Sequence, residues 1–258
     1  MRLITARPHR LLGEVVRRIG ELAAAGESCM LIVPSQYTLQ AEIEVMTRLD
    51  LTGTFLIDVL SPGRLQSRVF ERAGQPKEVV LDERGKCMVL TEVVEQEKEN
   101  LTMYRASAVG GAEGLVAKMS ALIADMKRSG MDAAQLSQAI AAMDEKDPAR
   151  KKLTDAARIF AGYERRMAGQ LADGEDVALR MRGKLAASGV VDGKHVFIYG
   201  FDMITETFAC DMLAISACSK SLTLAVETDE NGAPDGRLFA PVNLSLARLE
   251  RIAGEAGE

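Results

Sequence analysis

A chain of 258 residues is long enough to bury one large core or two modest ones. A net charge of −5, aromatics at 4% and no Trp exclude a wholly basic nucleic-acid module and a stacking platform of aromatic rings. Any contact with nucleic acid therefore has to come from a local patch or from a basic partner.

The opening Met1-Arg-Leu-Ile-Thr-Ala-Arg-Pro8 has no charged leader followed by an apolar stretch, and no apolar run reaches the ~18 residues of a membrane span. The expectation is a cytoplasmic protein with no signal peptide and no membrane partner. Cys29, Cys87, Cys210 and Cys218 lie too far apart for a zinc site, the closest pair being eight residues apart with no His nearby. They read as reduced, buried thiols, and no metal is expected.

In chain order, Leu3-Ile4 is a short strand candidate. Leu11, Leu12, Val15, Val16, Ile19 and Leu22 follow at helical spacing, with Gly26 where a C-terminal cap belongs. Cys29–Val33 reads as a fully buried strand closed by Pro34-Ser35. A second helix places Leu39, Ile43 and Met46 on one face, Phe55–Val59 is a third strand, and Ser61-Pro62 starts a third helix. Strand and helix alternating at this spacing predict parallel pairing with right-handed crossovers.

From Asp82 to about Ala187 no strand is predicted. Helices are expected over 83–98, 109–129, 132–143, 148–171 and 175–187, separated by Gly110-Gly111, Gly130, Asp147-Pro148 and Asp173-Gly174. Strands return at His195–Tyr199 and Ser221–Val226 around a helix from Glu206 to Ala217. A polar turn region at Asp229–Asp235 precedes a last amphipathic helix, Leu244–Ile252. The predicted organisation is an α/β domain in two parts, 1–81 and 189–258, interrupted by a helical insertion, 82–188. The ending Gly254-Glu-Ala-Gly-Glu258 suits a truncation as well as a natural terminus.

The first strand–turn–helix sits where a phosphate-binding NTPase carries a Gly-rich turn ending in Lys-Ser/Thr. Thr5, Pro8, Arg10, Leu11 and Leu12 stand at that place: no glycine, no Lys, no terminal Ser/Thr, and one N–H removed by Pro8. Arg7 and Arg10 can attract an anion at a helix start, and a purely structural turn is the other reading. The loop Val33–Thr38 presents polar side chains suited to a nucleic-acid phosphate or to ordinary capping. His195–Gly200 is the strand that, in a helicase-type NTPase, ends in Asp-Glu for Mg²⁺ and the attacking water. Tyr199 and Gly200 occupy those positions and can do neither job. Arg64, Arg68 and Arg72 fall four apart on one helix, and Arg150-Lys151-Lys152 with Arg158, Arg165 and Arg166 form a second basic group. With acidic residues interleaved, a salt-bridged surface competes with a DNA or partner contact there.

In this order, Leu31–Glu42 (LIVPSQYTLQAE), Val59–Leu65 (VLSPGRL), Val196–Phe201 (VFIYGF), Gly236–Phe239 (GRLF) and Leu244–Glu250 (LSLARLE) resemble the N-terminal part of the AddB family, B subunits of bacterial AddAB-type helicase–nucleases. The resemblance runs over essentially the whole chain. It implies a P-loop NTPase-like, superfamily-1 helicase-like parallel sheet with an all-helical insertion. It also implies an A-type helicase–nuclease subunit and DNA, as double-strand ends and single strands, as partners in double-strand-break repair by homologous recombination. Family members that bind ATP here keep Gly and Lys-Thr where this chain has Leu11-Leu12. The family's iron–sulfur cluster and nuclease lie far C-terminal, so the four cysteines are not carried onto it. ATP and the cluster are expected elsewhere in the complex, with no catalytic residue and no cofactor in this segment. Ser35, Gln36, Thr38, Ser61 and Arg64, at the carboxyl ends of two parallel strands, are the expected DNA contacts. The alternative is an assembly scaffold without DNA contact in this segment.

Overall fold

A computed structural model describes residues 1–53, 55–109, 112–227 and 239–256. The Gly110-Gly111 break, the Asp229–Asp235 turn and residues 236–238 of one resemblance segment lie outside the described residues. In chain order the elements begin β1 (Arg2–Ala6), α1 (Pro8–Ala24), β2 (Cys29–Ile32), α2 (Thr38–Arg48), β3 (Ile57–Leu60) and α3 (Pro62–Ala73). They continue as β4 (Val79–Val80), α4 (Glu83–Glu97), α5 (Arg105–Val109), α6 (Glu113–Arg128), α7 (Ala133–Ala141), α8 (Pro148–Met167), β5 (Leu171–Ala172) and α9 (Gly174–Ser188). The last are β6 (His195–Tyr199), α10 (Glu206–Cys218), β7 (Ser221–Glu227) and α11 (Ala240–Ala256). The chain divides into two compact units, Met1–Gln75 with Met181–Glu258, and Pro76–Arg180.

The first unit is built on a five-stranded sheet of order β1-β7-β6-β2-β3, every pairing parallel. Cys29, Leu31 and Val33 pack with Phe197 and Tyr199 under α1 and α2, through Leu11, Val15 and Ile19 and through Ala41 and Val45. Met30 and Ile32, equally buried, point to the opposite face because side chains alternate along a strand. A sheet covered on both faces explains why β2 is apolar at every position. Each fully buried Leu or Ile of α1 contributes about 1.5–3 kcal/mol relative to exposure. Beyond α1, the Gly26 N–H bonds Ala23 O (3.0 Å) and the Glu27 N–H bonds Leu22 O (2.9 Å), with Gly26 at φ 79°. That pair is the left-handed cap expected from the glycine.

Two details differ from the sequence expectation. α2 buries Ala41 and Val45, leaving Leu39 70% and Ile43 49% exposed. The apolar spacing is helical, but the smaller pair fits beneath the helix and turns the larger side chains outward. The third strand starts at Ile57 rather than Phe55, whose side chain is wholly exposed.

The second unit is a helical cluster. Leu90, Val93 and Val94 of α4 pack with Val116, Met119 and Ile123 of α6, Leu136 and Ile140 of α7 and Ile159, Phe160 and Tyr163 of α8. The starts of α4 and α8 are capped by acidic side chains: Asp82 accepts from Gly85 N (2.8 Å) and Asp147 from Ala149 N (2.8 Å), with Pro148 at the first turn. Asp132 and Gln135 cap α7 reciprocally, at 2.7 and 2.9 Å. The block is not all-helical as expected. α8 stops at Met167, and β5 pairs in parallel with β4 in a two-stranded ribbon. Two-residue strands carry too little periodicity to be read from sequence.

Charged groups are buried in this unit. Asp155 is 1% exposed and accepts from the backbone N–H groups of Thr102, Met103 and Tyr104 at 2.7–3.0 Å and from the Thr102 hydroxyl at 3.1 Å. Asp173 accepts from Lys127 Nζ (2.6 Å) and the Tyr163 hydroxyl (3.0 Å), and Lys127 also reaches Asp176 (2.7 Å). Half of the second basic group forms ion pairs between α8 and α4: Arg158 and Arg165 face Glu97, and Arg166 faces Glu92, while Arg150 faces Glu145.

Candidate functional site

The order of the sheet decides where a ligand would sit. From β2 the chain moves outward to β3, whereas from β6 it moves the other way to β7. The order reverses between β2 and β6, and open parallel sheets bind ligands at the carboxyl ends flanking such a reversal. α2 packs on the face shared with α1, and the buried residues of α10 are absent from that core, as opposite crossovers require.

After β2, Val33-Pro34 leads into a 3-10 turn at Ser35–Tyr37 that runs directly into α2. The Ser35 and Gln36 side chains are exposed, while the Thr38 hydroxyl turns back and donates to Ser35 O (3.1 Å). On the neighbouring strand Ile32 is in register with Leu60, so the Ser35 turn and the start of α3 lie side by side. Ser61 is buried and caps α3, its Oγ accepting from Arg64 N (3.3 Å). Arg68 is held by Asp58 (2.9 Å), and Arg72 donates to Gly189 O (3.4 Å). Arg64 is exposed and has no side-chain partner among the described residues. Of the five expected contact residues, Ser35, Gln36 and Arg64 thus present free polar groups on adjacent strand ends. Thr38 and Ser61 spend theirs on holding the two turns.

The β1–α1 junction is elsewhere. β1 is the far edge strand, three strand spacings or roughly 14 Å from β2. Arg7 alone separates β1 from α1, and its carbonyl accepts from Arg10 N (2.9 Å) and Leu11 N (3.1 Å). Thr5 and Arg10 are exposed, whereas Leu11 and Leu12 are buried in the core.

Tyr199 ends β6 beside the reversal. Its hydroxyl donates to Glu227 at the end of β7 (3.4 Å), and its ring lies 6.0 Å from that of Tyr37, tilted by 57°. Burial first, then the Glu227 charge, raises the Tyr199 phenol well above its ordinary value, so the side chain is neutral. Gly200 follows at φ 83°, and a Cβ there would lie 3.3 Å from Pro34 Cδ. Pro34, Tyr37 and the end of β6 at Tyr199-Gly200 therefore lie together beside the reversal. The loop beyond is clamped by α11: Ile204 N–H bonds Ser245 Oγ (3.0 Å), and Arg248 donates to Ile204 O (2.9 Å). Sequence reasoning missed Glu227 and this clamp, since both pairings join segments far apart in the chain.

His195 opens β6 at the other end of the sheet, its Nδ1 2.7 Å from Ser221 Oγ. Among the described residues no three His, Cys, Asp or Glu side chains gather as metal ligands. The cysteines are free thiols, but only Cys29 is fully buried, contrary to expectation; burial pushes its thiol up to about 11. No described helix is long and apolar enough to cross a membrane.

A family model described as "ADDB, N-terminal" matches residues 5–258. The chain belongs to the AddB N-terminal family. Among curated AddB proteins, the B subunit of the ATP-dependent helicase/deoxyribonuclease of Moorella thermoacetica is 27% identical over 96% of this chain and 22% of its own length. Its counterpart of the same name from Alkaliphilus metalliredigens is 27% identical over 86% of this chain and 19% of its own, and that of Staphylococcus haemolyticus 27% over 96% and 21%. The chain thus spans about a fifth of the AddB relatives it matches.

Proposed function

We propose that this chain is a superfamily-1 helicase-like region of an AddB-type helicase–nuclease protein that guides DNA and docks on an A-type partner during double-strand-break repair in the cytoplasm. The observation that carries the reading is the side-by-side display of Ser35, Gln36 and Arg64 at the carboxyl ends of β2 and β3. Neutral donors with one guanidinium that has no side-chain partner among the described residues suit phosphate and sugar contacts that position a strand. In the complete AddB protein assembled with its A-type partner, Gln36→Ala with Arg64→Ala is expected to weaken DNA binding several-fold at low salt. The magnitude of the salt slope should fall by about 0.7–0.9, one phosphate contact. Anisotropy titrations showing unchanged affinity and slope would remove this site from the DNA path.

The residues at the β1–α1 junction do not fit a nucleoside triphosphate. A one-residue connection leaves no loop to wrap phosphates, and Leu11 and Leu12 face the core where Lys and Ser/Thr would face the ligand. Tyr199, neutral and engaged with Glu227, cannot hold Mg²⁺, and Gly200 cannot orient water. The purified chain is therefore expected to show no ATP turnover above background in a phosphate-release assay. Turnover abolished by a substitution at Arg7 or Arg10 would refute this. The scaffold reading draws support from Leu39 and Ile43, exposed one turn apart beside Gln36. DNA crosslinks to residues 33–65 of the full complex favour guidance, and crosslinks only elsewhere favour scaffolding.

A further inference from the structure

A parallel sheet covered on both faces is apolar on both, and β7 departs from that on one of them. Leu222, Leu224 and Val226 are buried on the face away from α1, whereas Ser221, Thr223 and Ala225 alternate toward α1. Over this polar stretch, at the amino-terminal half of the sheet, the second half of α1 leaves a cavity of about 330 Å³. Strand register assembles its floor. Thr223 pairs with Arg2 on the edge strand β1 and with Phe197 on β6, and Ser221 pairs with His195. Arg17, Arg18 and Glu21 line the cavity from α1.

The fold leaves donors in this cavity unused. Thr223 is 4% exposed, yet among the described residues its hydroxyl has no hydrogen-bond partner. Burying a hydroxyl in that state is unfavourable unless a bound group pairs with it. On α1, Glu14 and Glu21 engage Arg17, and Glu14 also takes Arg18 Nε (2.7 Å), so two carboxylates balance two guanidinium groups. Arg2 has no partner among the described residues and is the surplus positive charge of the lining. Glu27, 3.7 Å from His195 Nε2, is held by Lys220 through both oxygens at 2.7 Å. Ser221 Oγ lies 2.7 Å from His195 Nδ1, and when the ring donates there Ser221 keeps its own proton for a ligand.

We infer that this cavity binds a small tetrahedral oxyanion, a phosphate group, with Arg2 and Thr223 as its principal contacts and Ser221 beside them. A guanidinium presents paired N–H groups to two oxygens of a phosphate, and hydroxyls donate to the remaining ones. Donors that stand on an edge strand and on the floor of the sheet, under a helix, suit a tetrahedral ion better than a planar carboxylate. The cavity is roomier than a bare phosphate ion needs, so free phosphate and a small phosphate ester share this chemistry. The site lies at the opposite ends of the strands from Ser35, Gln36 and Arg64 and stands independently of the proposed DNA contacts.

The test titrates the whole 258-residue chain with inorganic phosphate and with glycerol 3-phosphate, read by phosphorus NMR line broadening and by calorimetry. Saturable binding of at least one probe is expected, with acetate weaker than both. Arg2→Met and Thr223→Val are each expected to weaken binding by about tenfold. Lys118→Ala, an exposed cation of the helical unit, is expected to change nothing. Thr223→Val keeps the shape and removes a hydroxyl without a partner, so without ligand it should melt no lower than wild type. A lower melt would make the hydroxyl a structural group and overturn its role as a contact. Tighter glycerol 3-phosphate assigns the cavity to a phosphate ester, and tighter inorganic phosphate assigns it to the free ion. No saturable binding of either probe, equal binding of acetate, or affinity unchanged in both variants overturns the site. Displacement of the probe by a single-stranded oligonucleotide overturns the small-molecule assignment in favour of a nucleic-acid contact.

Discussion

Replacing Asp155 by Ala is expected to cost the helical unit about 3–5 kcal/mol, from several backbone N–H groups each left unpaired at about 1–3 kcal/mol with some recovery by water. The carboxylate is almost wholly buried and receives the N–H groups of Thr102, Met103 and Tyr104, which open α5, together with the Thr102 hydroxyl. Its neighbours in α8 cannot substitute for it, because Ala156 and Ala157 are short and apolar. Asp155→Asn should cost less, since its amide oxygen still accepts while its NH₂ meets the same donors head-on. Hydrogen exchange on the full chain provides the check. Amides 102–109 should lose protection in Asp155→Ala and lose less in Asp155→Asn. Equal protection in wild type and Asp155→Ala would show that α5 is held by its apolar contacts alone.

Lys127→Met is expected to be comparably destabilising, about 3–5 kcal/mol, because it strands a buried carboxylate. Burial pushes Asp173 upward, but the hydrogen bond from Lys127, then those from Asp176 N–H and the Tyr163 hydroxyl, hold it below its ordinary value. A carboxyl depressed on folding adds stability that is fully present above its unfolded pKa, about 3.9, and is lost as pH falls through the folded value. In wild type this loss falls below about pH 4. Without Lys127 the burial effect dominates and the folded pKa rises, so the variant regains stability as Asp173 takes up a proton. The gap between wild type and Lys127→Met should therefore narrow from pH 7 toward pH 4 in urea titrations. A second substitution, Asp173→Asn, should recover part of the loss at pH 7. A gap independent of pH would mean that Lys127 acts through its packing over the Tyr163 ring, 5.6 Å away, rather than through charge.

Local chemistry was the legible part of the sequence. Gly26 closes α1 because only a residue at ease at positive φ completes that cap, and Ser61-Pro62 and Asp147-Pro148 open α3 and α8 as their side chains dictate. Parallel pairing was legible too, since each strand of the first part is followed by a helix and none by a tight turn. The phase of α2 was not. Leu39 and Ile43 are larger and more apolar than Ala41, and only the space above β2 and β3 favours the small residue beneath the helix. The four-apart arginines illustrate the same limit. Identical in sequence, they differ because Asp58 and the Gly189 carbonyl reach Arg68 and Arg72, while no described side chain reaches Arg64.

By itself the sequence determined the elements, their caps and the residues that follow each strand, because those depend on neighbours within a few positions. It also determined that the first strand–turn–helix holds no glycine and no lysine between Thr5 and Leu12. Tertiary structure alone decided that β1 is an edge strand far from the order reversal. It alone placed Tyr199 against Glu227 and Tyr37, and it set the turn after β2 beside the start of α3 rather than beside the first turn. The physical reason is that strand order is chosen by how helices cover both faces of the sheet, a sum over contacts between segments as far apart as β1 and β7.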